Sequence, residues 1–409
     1  MSFKEWKEVE IGEVIQFNPK ETIKKHKIVK KIAMEKLEPF TRKITGYEEV
    51  AFTSGTKFRN GDTLLARITP CLENGKTAKV DILNGDEVGF GSTEYIVLRE
   101  KLNITDNNFI YYLAISPEFR NIAIKAMNGS SGRQRVQKDV LEQSKIKLPP
   151  LQEQKSIANI LSSLDEKIET NNEINKKLEE MAQAVFKQWF VDFEFPNEEG
   201  KPYKSSGGEM IESEMGMIPK GWKVVELNQV GDLTMGLSPK SNSYNLEKLG
   251  IPLLNGAADF ENGLINAKKY TNAPTRLCKK NDLIFSIRAT IGNITFSDKE
   301  YCLGRSVASI TSKNEIFTGI IYFNLLMSMN QLIANAKGSV ILGLSKPDIN
   351  NLKIVLPNNK ILKIFSDISN SCLNYKHNNE FENKKLRDLR DTLLPKLMSG
   401  EIRVSLDDN

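Results

Sequence analysis

The chain has 409 residues, 57 Lys+Arg against 52 Asp+Glu, a formal net charge of +5, and 40% hydrophobic residues. Such a length predicts two or three domains with real cores. No stretch approaches the roughly 18 consecutive apolar residues of a membrane helix, and the start MSFKEWKEVEIGEV has no signal-peptide core. Cys71, Cys278, Cys302 and Cys372 are scattered and form no CxxC pair, which argues against a disulfide framework or zinc knuckle. A cytoplasmic protein without membrane contact is expected.

Residues 1–150 are basic, with 25 Lys+Arg against 20 Asp+Glu. Short runs at 62–68 and 95–98 carry strand-forming residues between Gly, Asn and Asp. Residues 107–127 read as helical. Leu148-Pro149 closes the last strand, and residues 151–193 then contain no proline or glycine. There Ile157, Leu161, Leu164, Ile168, Asn171, Asn175, Leu178, Ala182, Val185 and Trp189 alternate spacings of four and three, the a/d seam of a coiled coil. The segment 151–200 is acidic, with 5 basic against 11 acidic residues. Residues 196–221 have the Gly, Pro and Ser content of a loop.

The chain then repeats itself. Trp6-Lys7-Glu8-Val9-Glu10 matches Trp222-Lys223-Val224-Val225-Glu226. N-G-D-T-L-L-A-R ending at Arg67 matches K-N-D-L-I-F-S-I-R ending at Arg288, which pairs the two arginines. G-S-T-E-Y-I-V-L from Gly91 loosely matches G-R-S-V-A-S-I-T from Gly304. The run from Asp139 matches that from Asp348, and N-N-E-I-N-K-K-L from Asn171 matches N-N-E-F-E-N-K-K-L from Asn378. A period above 200 residues marks a duplicated domain rather than a solenoid. The second copy, residues 201–359, is again basic (18 against 13), with a strand run at 282–287 and a helical stretch at 317–336. After Leu356-Pro357 a second seam runs through Ile361, Phe365, Ile368, Cys372, Tyr375, Asn379, Glu382, Leu386, Leu389 and Leu393.

The fold class expected is α+β: two sheet-containing modules alternating with two long helices that pair as an antiparallel coiled coil. The segments are 1–150 (first module), 151–195 (first helical region), 196–358 (linker and second module) and 359–409 (second helical region). Polar seam positions at Asn171/Asn175 and Asn379/Glu382 are expected to select the register. A helix of ~40 residues is about 60 Å long, against about 34–36 Å per turn of B-DNA. Two basic modules on such a rod suit separated half-sites on double-stranded DNA.

Chemistry of its own is hard to find. There is no Walker A loop, and Asn18-Pro19-Lys20 falls short of the N-P-P-[YF] turn of a methyltransferase. Pro347-Asp348 with Glu382-Asn383-Lys384 superficially suits the carboxylate–lysine cluster of a nuclease, but its second part sits in the middle of the coiled-coil helix and repeats Asn175-Lys176-Lys177. Neither His26 nor His377 lies in a catalytic setting. No catalytic residue, cofactor site or metal site is expected. DNA contacts need Arg, Gln and hydroxyl groups on accessible loops. The candidates are Arg67, Ser131, Arg133, Gln134, Arg135 and Lys138 in the first copy, and Arg288, Arg305 and Lys346 in the second. Ordinary surface-loop roles, or pairing of an arginine with a carboxylate such as Glu94, are the alternatives. The run Lys24-Lys25-His26-Lys27, continued at Lys30-Lys31, suits non-specific phosphate attraction. Trp189, Phe190 and Phe193, with Leu397 in the matching group, are candidates for domain docking and subunit contact.

Four stretches carry a family resemblance: Lys147–Asp165 (KLPPLQEQKSIANILSSLD), Ala184–Phe193 (AVFKQWFVDF), Gly216–Trp222 (GMIPKGW) and Leu393–Ile402 (LLPKLMSGEI). The chain resembles the DNA-specificity subunits of type I restriction–modification systems over its full length. The resemblance implies two target recognition domains that read an asymmetric bipartite target. It implies that the helical regions bind two methyltransferase subunits, joined by restriction/translocase subunits, and that S-adenosylmethionine, ATP and Mg belong to those partners. The second helical region lacks the L-x-E-Q of Leu151–Gln154, so the two regions are not expected to contact partners identically. A coiled-coil adaptor that binds only proteins is the competing reading.

Overall fold

The computed structural model describes residues 5–130, 132–261, 263–336 and 342–404. The chain forms two compact units, Met1–Thr170 with Asn383–Asn409, and Asn171–Glu382. The long helices Leu151–Phe186 and Asn359–Ser399 are each shared between the units. The compact units thus cut across the four sequence segments.

In the first unit, strand Lys7–Glu10 pairs antiparallel with Lys145–Leu148, so the module's first and last strands close it. One four-stranded sheet is ordered Ile15–Phe17, Tyr95–Glu100, Thr63–Ala66, Thr77–Lys79; the other is ordered Glu48–Ala51, Ile28–Ile32, Gly89–Gly91, Thr56–Phe58. The helical stretch is broken into Asn107–Ile115 and Pro117–Lys125. Pro117 has no N–H to continue the first helix, and Ser116 caps the second through its hydroxyl. Ile11, Leu65, Ile96, Phe109, Tyr112, Phe119 and Leu141 fill the core, where Ile157 and Leu161 of one long helix meet Leu394, Leu397 and Met398 of the other.

The second unit repeats this plan. Lys223–Glu226 pairs with Lys353–Leu356, and a sheet ordered Gly231–Met235, Val307–Ser312, Leu283–Ser286, Ile294–Phe296 corresponds to the first sheet above. Glu315–Asn335 is apolar and long enough to cross a membrane, with mean hydropathy 1.4. Here it forms the core, with Ile320, Ile321, Phe323 and Leu325 buried. The segment expected as loop between the copies is tied down: hairpin strands Met210–Ser213 and Gly216–Pro219 pair, and Phe195 stacks on Tyr203 and Trp222 at 4.6 and 4.7 Å.

The long helices run antiparallel within each unit. In the first, Glu153 meets Arg403 and Asp165 meets Arg390. In the second, Asn171 donates to Glu382 at 2.7 Å, Asn379 to Asn175 at 2.8 Å and Lys376 to Glu179 at 2.9 Å. The polar residues Asn171, Asn175 and Asn379 thus face the opposing helix. Ile157, Leu161 and Ile168 are buried, and Leu164 and Leu178 half-buried.

The second seam needs correction. Tyr375 is 67% and Leu389 47% exposed, whereas Ser369, Asn383 and Arg390 are buried and Lys376 is half-buried. Ile368 and Leu386 are half-buried. Two seam positions thus move by one residue, from 375 and 389 to 376 and 390, while Ile368 and Glu382 stay half-buried beside the buried Ser369 and Asn383. Apolarity selected Tyr375 and Leu389, but the helix turns a lysine and an arginine inward because opposing carboxylates neutralise them. A buried charge is tolerated where it is paired and hydrogen-bonded.

Candidate nucleic-acid interface

In the first unit three segments converge. Arg67 N–H donates to Glu94 O, Val136 N–H to Arg67 O, and Thr69 N–H to Gln134 O. The hairpin of Met127–Asn128 and Arg135–Val136 closes on the loop that carries the candidates. Gly129 and Gly132 adopt φ of 130° and 80° there, backbone that a side chain would strain. Arg133 is exposed, with no side-chain partner among the described residues, and Gln134 is half-buried. Ser131 lies outside the described residues.

Arg135 is engaged. Its Nε is 3.0 Å from both Glu94 carboxylate oxygens and its Nη2 is 2.7 Å from Oε1. The guanidinium holds the Glu94 carboxyl below the ordinary carboxylate range. Lys138 bonds Glu142 at 2.7 Å. Glu94 is the kind of carboxylate the sequence offers to Arg67, Arg288 or Arg305, and it takes Arg135 instead. Arg67 turns inward, where Nη2 donates to Val136 O at 3.3 Å and Nε is buried without a hydrogen-bond partner among the described residues. Arg120, missed in the sequence, stacks on the exposed Phe40 ring at 4.6 Å. Nothing local signals that pair, because 80 residues separate its members.

In the second unit the corresponding bonds run from Ile287 N–H to Ser306 O and from Leu344 N–H to Ile287 O. The turn aspartates also correspond, Asp62 accepting from Arg59 N–H and Asp282 from Lys279 N–H. Arg67 therefore matches Ile287, and the pairing of Arg67 with Arg288 was one residue out of register. On a strand that slip exchanges faces: Arg288 is exposed where Arg67 is inward. Arg305 is exposed, its N–H donating to Ser238 Oγ at 3.2 Å. Lys346 is exposed at the start of helix Lys346–Asn350. Arg276, also exposed, joins this edge because its carbonyl accepts from Leu303 N–H. Residues 337–341 of the matching loop lie outside the described residues.

The lysine run divides. Lys24, Lys25 and Lys27 are exposed, while Lys30 is buried, donating to Ile82 O at 2.8 Å beside Glu87. The aromatic candidates for subunit contact are core residues: Trp189 and Phe190 pack with Phe186, Phe365 and Trp222, and Leu397 is 2% exposed in the first unit. Phe193 sits edge-on to Trp222 at 5.8 Å. The helix ends at Phe186 in a π-helical turn, Lys187–Val191, which brings these rings onto their module.

The L-x-E-Q motif is also internal. Glu153 accepts from Trp6 Nε1 at 3.1 Å and from both Nε and Nη2 of Arg403. Gln154 bonds the carbonyls of Ile104 and Pro149. The second copy places buried Ile361 and Leu362 there instead. Its departure from the motif exchanges a polar anchor for an apolar one.

A family model described as the type I restriction modification DNA specificity domain matches residues 3–180 and again 219–383. The chain belongs to this DNA specificity family. The two matched stretches of this type I specificity chain coincide with its two copies. It is 32% identical to a Methanocaldococcus jannaschii protein named as the type I restriction enzyme MjaX specificity subunit, over 84% of this chain and 79% of that one. It is 24% identical to the HindI specificity subunit of Haemophilus influenzae, over 84% of this chain and 87% of that one. The S subunit structure from M. genitalium covers 97% of this chain and 96% of its own at TM-score 0.62 and 15% identity, a likeness of fold alone.

Proposed function

We propose that this chain is the non-catalytic DNA-specificity subunit of a type I restriction–modification complex. Each unit reads one part of an asymmetric bipartite target on double-stranded DNA, and the paired helices set the spacing between the parts. The observation that carries this reading is the doubled specificity-domain match on two units whose exposed arginines differ. Arg133 serves the first face; Arg276, Arg288 and Arg305 serve the second. Arginine fits both phosphate contact and guanine reading, and different side chains at matched places imply different half-sites.

In this reading the helical regions recruit the methyltransferase subunits, two copies in keeping with the duplication, and restriction subunits join them. S-adenosylmethionine, ATP and Mg are held by those partners, and the complex works in the cytoplasm. The partner surface lies on outward helix positions, since Trp189, Phe190 and Leu397 are committed to cores. The test is co-expression with a cognate methyltransferase subunit and mapping of modified bases across a plasmid. Modification at an interrupted two-part motif, lost when this chain is omitted, supports the reading. Modification that persists without the chain refutes it.

A further inference from the structure

The duplication supplies an internal control on the first unit's nucleic-acid face. The backbone bonds above equate Glu94 with Ser306. The bridges Ile68↔Arg135 and Arg288↔Gly343 equate Arg135 with Gly343. The same junction is thus built in the second unit from a serine and a glycine, so the fold requires neither the carboxylate nor the guanidinium. Both side chains are accessible, Arg135 at 44% and Glu94 at 24%. An exposed pair adds little stability, and an anionic group repels phosphate. Glu94 on this face therefore calls for another explanation.

The bond pattern provides one. Glu94 takes Nε–H and one Nη2–H of Arg135. A guanidinium has five N–H donors in a rigid plane. Both Nη1 hydrogens and the second Nη2 hydrogen have no partner among the described residues, and the Nη1/Nη2 edge is not the edge that the carboxylate occupies. Two adjacent donors on one edge match O6 and N7 of guanine in the major groove. Fixing the plane beforehand removes side-chain freedom that binding would otherwise have to freeze.

On the reading that the first unit recognises one half of the target, we infer that Glu94 and Arg135 form a preassembled guanine reader. Arg135 donates from Nη1 and Nη2 to one guanine, and Glu94 is the positioning residue that orients it. The second unit, with Ser306 and Gly343, reads its half by other groups.

The experiment maps modified sites made by the full chain with its methyltransferase subunit. Wild type is compared with Glu94→Ser, Glu94→Gln, Arg135→Gly and Arg135→Lys. Exchange of residues 1–150 identifies the half read by the first unit. The expected result is a guanine in that half whose discrimination falls roughly 5- to 150-fold in Arg135→Gly. Glu94→Ser relaxes the same position, Glu94→Gln and Arg135→Lys do so less, and the second half stays fully specified. An intact second half also reports that each variant is folded. A first half without guanine, or relaxation at different positions in the Glu94 and Arg135 variants, overturns the inference and leaves the specificity reading standing. So does unchanged discrimination in all four variants. Absence of any two-part motif with the wild-type chain overturns both.

Discussion

Arg390→Ala tests how a charged layer is tolerated between the long helices of the first unit. Arg390 and Asp165 are 5% and 4% exposed and bond at 2.7 Å, and Tyr112 donates to the same carboxylate at 2.8 Å. Removing the guanidinium leaves a buried carboxylate with a single hydroxyl donor from a side chain. Breaking one partner of such a pair costs about 3–5 kcal/mol. The second unit carries an apolar counterpart, with Ala182, Leu373 and Phe323 lining one small cavity of about 10 Å³. The triple variant Tyr112→Phe/Asp165→Leu/Arg390→Ala copies it and is expected to recover most of the loss, because replacing a whole buried pair by apolar groups is often neutral. Hydrogen exchange resolved by peptide separates the units. Peptides from helix Asn107–Ile115 should open roughly 100- to 5,000-fold more often in Arg390→Ala, while those from Thr318–Asn335 stay unchanged. Equal loss of protection in the single and triple variants would refute this account of the layer.

Three further outcomes follow from individual side chains. Burial pushes the Glu380 carboxyl up to about 7, above its ordinary 4.5, with Lys376 opposing and Glu179 reinforcing the shift. The folded state then holds this proton more tightly than the unfolded one, so the second unit loses stability as pH rises from 4.5 through 7; urea midpoints should fall over that window, and Glu380→Gln should flatten the slope. Leu394→Ala should cost about 2–5 kcal/mol because Leu394 is 6% exposed. Leu389→Ala, five residues earlier, should stay within about 0.5 kcal/mol, and equal midpoints would disprove the corrected seam. Arg133→Ala and Arg305→Ala should each reduce the slope of log affinity against log salt by about 0.9 if they contact phosphate, as read by titration of the assembled complex with target duplex.

Architecture was legible because it rests on repeated, locally encoded patterns. The heptad spacing located both long helices, and the match of Trp6 to Trp222 located both modules. The inward turn of Lys376 and Arg390 was not legible, because apolarity cannot identify a charge whose partner is about 200 residues away. Asp165 lies 225 positions from Arg390. The slip that paired Arg67 with Arg288 has a related origin. N-G-D-T-L-L-A-R has one residue fewer than K-N-D-L-I-F-S-I-R, and matching the arginines ignored the aspartate that fixes the turn. Arg135 was identified as a candidate from its glycine-rich loop. Its clasp by Glu94 depends on strand pairing, as does the approach of Arg276 to Leu303. The aromatic cluster at Trp189 was visible, but burial, which decides between core and partner surface, is not written in composition.

The measurement that bears most directly on the central claim is module exchange. Residues 1–150 would be replaced by the corresponding module of another family member whose target is known, and modified sites mapped after co-expression with the same methyltransferase subunit. The account predicts a hybrid motif: one half becomes that of the donor, the other half is retained, and the spacer length is unchanged because both helices are kept. A motif altered in both halves, or in neither, would contradict the assignment of one reader to each unit.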